Sequence, residues 1–322
     1  VIVHEDQIIG EGYHQKIGEA HAEVNAVKNV IETYGDKAAD LLKKATAYVT
    51  LEPCAHFGKT PPCADLLIKH HIKKVVIGNT DPFESVNGKG IEKLKNAGIE
   101  VVTGILDDEC KVVNKRFFTR IKEHRPYFIL KWAQTADGFF APEDQSQQWI
   151  SGAEAKILTH HWRTEEDAIL VGKNTALIDN PQLTSRIVGG KNPIRIVIDK
   201  NLDIPSNNHI FDKEAKTIIF NEVKTDVIEN IHFVQMEDMH FYLAQKIAFQ
   251  LFLMDIQSVI IEGGIQILNQ FINANLWDEA RIFTSNTNWN EGKLAPAIDG
   301  IVMENLILGN DQLTILTQAK KR

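Results

Sequence analysis

A histidine and a glutamate stand two positions apart in His21-Ala22-Glu23, followed by Leu51-Glu52-Pro53-Cys54 and then Pro61-Pro62-Cys63. One imidazole, two thiolates and a carboxylate outside the ligand set are what a hydrolytic zinc deaminase requires. Three protein ligands leave the fourth position of a tetrahedral zinc to water, whose pKa falls toward ~7. Glu23 would take the proton of that water and return it to the leaving amine. Ammonia is the implied product.

The short form of this signature ends Pro-Cys-x-x-Cys, whereas eight residues, Ala55 to Pro62, separate the cysteines here. Gly58 and Pro61-Pro62 predict a fixed irregular loop, after which Cys63 opens the apolar-periodic run Ala64, Leu66, Leu67, Ile68. Cys63 is therefore expected at a helix N-terminus, where the dipole and free N–H groups favour thiolate. The competing arrangement is a closed structural zinc knot in which a fourth side chain, such as His56, replaces the water. That arrangement leaves the carboxylate of His-x-Glu without a use.

These residues need a frame. Val1-Ile2-Val3 is already inside an apolar run, and Ile8 to Tyr13 reads as the return strand of a hairpin. A domain starting there would have a raw edge, so an N-terminal helix and part of the first strand are expected to precede it. Helix is predicted for Ala22 to Ile31, Ala64 to His71 and Ile91 to Ala97, and strand for Ala45 to Leu51, Val75 to Gly78 and Ile99 to Val102. The alternation is that of an α/β layer fold, with both metal segments at strand-to-helix junctions.

A second α/β domain is expected from Glu123-His124-Arg125-Pro126, giving domains 1–122 and 123–322. Its predicted strands are Tyr127 to Trp132, Ala168 to Val171, Ile194 to Asp199, Thr217 to Phe220 and Ser258 to Glu262. Glu262-Gly263-Gly264-Ile265, at a strand end before the helix Gln266 to Asn273, could cradle a phosphate or be a tight structural turn. It lacks the G-x-G-x-x-G spacing, so a Rossmann dinucleotide fold is not supported. Trp149 reads equally as a core aromatic or a ligand contact, and Arg163 and Arg186 as surface charges or anion partners.

Composition bounds the partners. The 322 residues are 43% hydrophobic and 24% charged, with a net charge of −8, which suits a two-domain enzyme. The densest basic stretch, Lys115 to Arg125, reads as a solvated helix face, so a small substrate is favoured over nucleic acid. Three cysteines, two of them assigned to metal, exclude a disulfide framework and fit a reducing, cytoplasmic setting. Cys110 is expected as a small buried helix residue. No stretch is long and apolar enough for a membrane span.

Gly10-Glu11-Gly12-Tyr13-His14, His21-Ala22-Glu23, Thr50-Leu51-Glu52-Pro53-Cys54, Gly58-Lys59-Thr60-Pro61-Pro62-Cys63, Asp81-Pro82, Asn87-Gly88-Lys89-Gly90 and Ala97-Gly98-Ile99 follow in this order. The chain thereby resembles the bifunctional riboflavin biosynthesis family RibD, which joins a zinc pyrimidine deaminase to an NADPH-dependent reductase. The resemblance implies a cytidine-deaminase-like three-layer domain, a dihydrofolate-reductase-like domain and a homodimer. It implies that His21, Cys54 and Cys63 hold zinc, that Glu23 shuttles protons, and that His14, Lys59 and Asp81 touch the phosphoribosyl pyrimidine. Phe83 stands where the family often has Asn.

For the second half, the resemblance implies cofactor contacts at Ala133, Trp149, Thr175, Asp179, Lys200 and the run Gly263, Gly264, Ile265, Gln266, Ile267 and Leu268. Gln147, Arg163, Leu183, Arg186 and Glu262 are expected to face the phosphosugar. Thr135 replaces a common Ser and Lys200 another. Hydride transfer needs positioning more than acid–base chemistry. Lys131 is the candidate donor to the sugar oxygen, with pairing to a buried carboxylate as its alternative role. Two other readings stay open: a nucleic-acid or other nucleobase deaminase, and a deaminase whose second half is only a scaffold.

Overall fold

A computed structural model of the chain describes residues 1–15, 18–57, 61–83, 86–144 and 146–319. Its backbone packing divides into two units, Val1–Glu123 and His124–Arg322.

In the first unit the chain runs β1 (Ile2–His4), β2 (Gln7–Gly10), α1 (Ala22–Tyr34), α2 (Ala38–Leu42), β3 (Thr46–Leu51), α3 (Cys63–Lys69), β4 (Lys74–Asn79), α4 (Lys89–Asn96), β5 (Glu100–Thr103), α5 (Asp107–Val113) and α6 (Lys115–Glu123). The sheet order is β2-β1-β3-β4-β5. The β1–β2 hairpin is antiparallel and β3, β4 and β5 run parallel. A parallel sheet needs cover on both faces. Val27, Val30, Leu42, Leu67 and Leu94 from the helices close over Ile2, Ala47, Val75 and Ile77 of the strands to form one core. The carboxyl ends of β3 and β4 then open toward the loops that carry chemistry.

The second unit contains β6 (Tyr127–Gln134), β7 (Phe139–Ala141), α7 (Ala153–Glu165), β8 (Ala168–Gly172), α8 (Lys173–Asp179), β9 (Ile194–Ile198), β10 (Thr217–Asn221), β11 (Asp226–Ile228), β12 (Ile231–Gln235), α9 (Leu243–Leu253), β13 (Ser258–Ile261), α10 (Ile265–Asn273), β14 (Glu279–Thr284), β15 (Lys293–Leu294), β16 (Ile301–Leu308) and β17 (Asp311–Thr317). Ten strands form one sheet, ordered β11-β12-β10-β9-β8-β13-β6-β14-β17-β16. From β12 to β14 the ladders are parallel, and β17 and β16 extend the sheet antiparallel. Phe128, Leu170, Phe220, Ile247 and Phe271 are among the residues that form its main core. No helix among the described residues is long and apolar enough to cross a membrane.

Two sequence expectations are corrected by the fold, and one open reading is decided. Cys110 is half-buried rather than buried. Its Sγ sits where a Cβ on Gly78 would come within 2.2 Å, so glycine permits that approach. The helical part of the Lys115–Arg125 stretch has no buried residue, with Lys122 and Glu123 exposed and Lys115, Arg116 and Arg120 half-buried, so it departs from a solvated face only at its end. Arg125 is buried and grips Asp278 through both terminal nitrogens at 2.6 and 2.8 Å. Trp149 is no core aromatic, since 70% of it is exposed, with the Lys156 ammonium 4.6 Å over its ring.

Candidate active sites

His21 is the N-cap of α1 and Glu23 lies in that helix's first turn, so one backbone turn presents both side chains. Cys54 follows the end of β3, and Cys63 is the first residue of α3. The Nδ1 of His21 lies 3.7 Å from Cys54 Sγ and 3.3 Å from Cys63 Sγ. All three ligand atoms fall within 4.8 Å of one another. Tetrahedral zinc with Zn–S ~2.3 Å and Zn–N ~2.0–2.1 Å holds nitrogen and sulfur about 3.5 Å apart. The donor set fits that ion in chemistry and in spacing. His56 is exposed, pairs its ring with Phe83 at 6.5 Å, and lies outside the cluster, which disfavours the closed knot.

The two sulfurs form a hydrogen-bonded pair. The Cys63 thiol and its backbone N–H, 3.3 Å away, both donate to Cys54 Sγ, and together with His21 they hold the Cys54 thiol down at about 4. Cys63 is pushed up for the same reason, as the donor of the pair. Cys63 stands at the helix start as expected, and its N–H there also reaches the neighbouring sulfur of Cys54. Zinc needs both sulfurs deprotonated, so its binding releases a proton. Burial pushes the Glu23 carboxyl up, and Glu23 hydrogen-bonds the Cys63 thiol, which holds it beside the cluster.

Glu52, which the motif reading passed over, organises the loops. Its buried carboxylate accepts N–H bonds from Asp81 (3.2 Å), Gly88 (3.0 Å), Gly90 (2.9 Å) and Ile91 (3.2 Å). The start of α4 and the segment after β3 that carries Cys54 are thereby tied to one side chain. A Cβ at Gly90 would stand 2.0 Å from the Pro53 carbonyl oxygen, so this junction requires glycine. Replacing Glu52 with Gln turns one of its two accepting oxygens into an NH2 donor, so two of the four N–H groups lose their acceptor and the other two lose a charged one; hydrogen bonds to a charged group are each worth ~1.5–3 kcal/mol. Glu52→Gln is expected to lower the unfolding midpoint and to weaken zinc retention, checked by thermal unfolding and metal analysis. Unchanged values of both would refute this role.

Of the other residues expected here, His14 brings its ring to 5.2 Å from that of His21. Asp81 is buried, and burial raises its pKa even though its carboxylate accepts the Phe83 N–H at 2.8 Å. Phe83 itself is 44% exposed. Lys59 lies outside the described residues.

In the second unit two adjoining cavities, of about 460 and 490 Å³, share Gln147, Trp149, Thr175, Asp179 and Glu262 as walls. The first also holds Lys131, Arg163, Leu183 and Arg186, so every expected phosphosugar residue lines it. The second holds Lys200, Gly264, Ile265, Gln266 and Ile267. Ala133, Gly263 and Leu268 do not line either one. Leu268 is buried in the main core, and Ala133 packs against the smaller cluster around Tyr127 and Trp162.

Gly263 serves packing: a Cβ there would meet Thr175 Oγ1 and Cγ2 at 2.9 Å. Gly264 instead adopts φ +73° as the residue before α10, a conformation that favours glycine. Leu183, 3% exposed, holds φ +54° in the loop after α8. Such strain in a non-glycine residue costs about 1–3 kcal/mol and gathers at ligand sites.

The electrostatic centre is Glu262. Its carboxylate takes Arg163 Nε at 3.2 Å and Nη2 at 2.7 Å, and Arg163 also bonds the Thr184 carbonyl at 3.0 Å. Burial pushes Glu262 up, but Arg163 and Lys131 outweigh it and hold the group below the ordinary carboxylate range. Burial lowers the Lys131 pKa, with Glu262 opposing. Lys131 therefore shares the cavity with Glu262 while facing the Phe283 ring at 5.6 Å. The Thr135 hydroxyl is used within its own turn, donating to Asp137 at 2.5 Å and accepting the Phe139 N–H at 2.9 Å. Lys200 bonds Glu222 at 3.1 Å from the second cavity's wall.

Among protein families, residues 126–286 match the RibD C-terminal domain, and residues 1–79 match the cytidine and deoxycytidylate deaminase zinc-binding region. The chain is 40% identical over 296 residues to the riboflavin biosynthesis protein RibD of Aquifex aeolicus, covering 91% of this chain and 81% of that protein. RibD of Bacillus amyloliquefaciens is 37% identical, with 92% and 80% covered. The crystal structure of a diaminohydroxyphosphoribosylaminopyrimidine deaminase/5-amino-6-(5-phosphoribosylamino)uracil reductase from Thermotoga maritima superposes with a TM-score of 0.88 at 31% identity, covering 99% of this chain and 91% of that one. Acinetobacter baumannii RibD gives 0.87 at 30%, with the same coverage.

Proposed function

The chain belongs to the RibD family of riboflavin biosynthesis proteins, and from that premise we infer which of its residues carry each of two consecutive reactions. The enzyme is a zinc-dependent deaminase and an NADPH-dependent reductase. In our reading residues 1–122 hydrolyse the 2-amino group of 2,5-diamino-6-(5-phosphoribosylamino)pyrimidin-4(3H)-one. Residues 123–322 then reduce the ribosyl chain of 5-amino-6-(5-phosphoribosylamino)uracil to ribityl. The observation that carries the reading is the His21, Cys54 and Cys63 cluster with Glu23 in the same helical turn.

His21, Cys54 and Cys63 would hold the zinc, which when bound supplies an activated water near pH 7. Glu23 accepts a proton from that water and passes it to the departing amine nitrogen. His14, Asp81 and Lys59 are assigned to the pyrimidine ribotide, with the Lys59 ammonium as a phosphate partner. In the reductase unit NADPH supplies the hydride. Trp149, Thr175, Asp179, Lys200 and Gly264 to Ile267 would hold it, with Ala133, Gly263 and Leu268 limited to backbone or packing roles. Gln147, Arg163, Leu183, Arg186 and Glu262 orient the phosphosugar. Lys131 donates a proton to the sugar oxygen as the adjacent carbon is reduced.

We also propose a cytoplasmic setting, where the two ligand thiols stay reduced, and a homodimer. The β16 edge, with Ile301, Val302, Met303 and Ile307 exposed, supports pairing. The separation of the two chemistries gives the test. Stripping zinc with a chelator is expected to abolish ammonia release and to leave NADPH oxidation on the pre-deaminated ribotide at its original rate, with ammonia release returning on zinc addition. Ammonia release that persists in metal-free protein would refute the assignment.

A further inference from the structure

We propose that His160 is a phosphate-contact residue of the reductase cleft, its imidazole N–H donating to an oxygen of the substrate's 5-phosphate beside Arg186. The proposal rests on the reductase reading above and adds a residue to it. His160 stands one turn before Arg163 on α7, on the same face, and lines the first cavity while being only 3% exposed. It does not line the second cavity, so it lies away from the walls the two spaces share. Lys156, Arg163 and Arg186 line the same cavity, and the one carboxylate acting on the ring, Glu262, is itself paired with Arg163.

The ring has no hydrogen-bond partner among the described residues. Nδ1 is enclosed with no hydrogen-bond partner. A buried N–H left without an acceptor costs more than a bare lone pair, which assigns the proton to Nε2. Burial, followed by the charges of Arg163 and Arg186, holds the imidazole down at about 4, so the ring remains uncharged at neutral pH. A free neutral donor then stands among cations that repel its protonated form, an environment that an arriving phosphate dianion matches. Arg163 is already engaged by Glu262 and by the Thr184 carbonyl. Arg186 is exposed, and its one hydrogen bond among the described residues is a long 3.4 Å contact to Thr184 Oγ1, which leaves it available to the anion.

The test compares His160→Ala and His160→Gln in the full zinc-loaded chain, on the deaminated ribotide and on its dephosphorylated riboside. His160→Ala is expected to raise KM for the ribotide about tenfold or more, the range for a hydrogen bond to a charged group. KM for NADPH and the rate of ammonia release should not move. His160→Gln, whose amide N–H reaches the position of Nε2–H, should recover most of the affinity. On the riboside, His160→Ala should change nothing beyond the loss that removing the phosphate already causes.

Equal losses on ribotide and riboside, or an unchanged ribotide KM, would overturn the proposal. Should the alanine variant fail to fold, His160→Asn, which places its N–H on the Nδ1 side, replaces it and should behave as alanine would. Equal activity of the Asn and Gln variants would also overturn it. If the wild-type chain reduces neither substrate, the reductase reading itself fails and the proposal falls with it.

Discussion

Glu23→Gln is expected to cut ammonia release by about 10²–10⁴-fold, the usual range for removing a general acid–base, while the protein keeps its zinc. Gln preserves the size and a hydrogen-bonding oxygen, so His21, Cys54 and Cys63 keep their positions, but an amide cannot take a proton from water and return it to nitrogen. The variant should still reduce pre-deaminated ribotide at the wild-type rate, because the cavities lined by Lys131 and Glu262 belong to the other unit. The readouts are ammonia, bound zinc and NADPH oxidation on the same preparation. Loss of zinc in the variant would make Glu23 a ligand or a structural prop instead. Retained ammonia release would remove it from the mechanism.

The second large effect is expected at Glu262. Its side chain is 9% exposed, and its partner Arg163 is 11% exposed. Deleting one member of a buried pair leaves an uncompensated charge and costs about 3–5 kcal/mol. Glu262→Gln leaves Arg163 and Lys131 facing each other as like charges across the first cavity. Without the carboxylate that opposes burial, the Lys131 pKa falls further, which weakens its hold on the proton it would donate. The loop from Asn180 to Arg186 also loosens, since Arg163 holds the Thr184 carbonyl.

NADPH oxidation should fall by about 10²-fold or more, the low end for losing acid–base chemistry. The unfolding transition of the second unit should move down, and ammonia release should be untouched. Normal reduction in this variant would show that the pair is only structural. A double variant in which Arg163→Met restores stability but not turnover would separate the two roles.

Chemistry at the zinc cluster was legible because ligand identity and spacing are local: His21 and Glu23 share a turn, and each cysteine sits at an element boundary that Gly and Pro announce. The strands β6, β8, β9, β10 and β13 were legible for the same reason, as runs of apolar residues buried on both faces. What escaped is long-range. Glu52 is an ordinary acidic residue until the chain brings the N–H groups of Asp81, Gly88, Gly90 and Ile91 to it from 29 to 39 positions away. Arg125 looks like one more cation of a basic stretch until Asp278, 153 residues on, neutralises it.

The antiparallel end of the second sheet was also missed. β16 is exposed along nearly its whole length, so it lacks the inside–outside alternation by which a half-buried strand is read. Leu183 carries no sign of its left-handed backbone, since leucine rarely adopts it. Its burial and strain become visible only once the loop is closed over the cavity. The roles of Trp149 and Arg163 were undecided by residue type, and exposure separates them: the indole lies open on a cavity wall, while the guanidinium is buried against Glu262.

The most direct test of two linked chemistries on one chain is a single time course. Zinc-loaded protein is given the undeaminated diaminopyrimidine ribotide with NADPH in excess, and ammonia and NADPH are followed together. Ammonia should rise first, and NADPH should fall after a lag until one equivalent of each has been exchanged per substrate. Ammonia without any loss of NADPH, or NADPH oxidised ahead of ammonia, would contradict it.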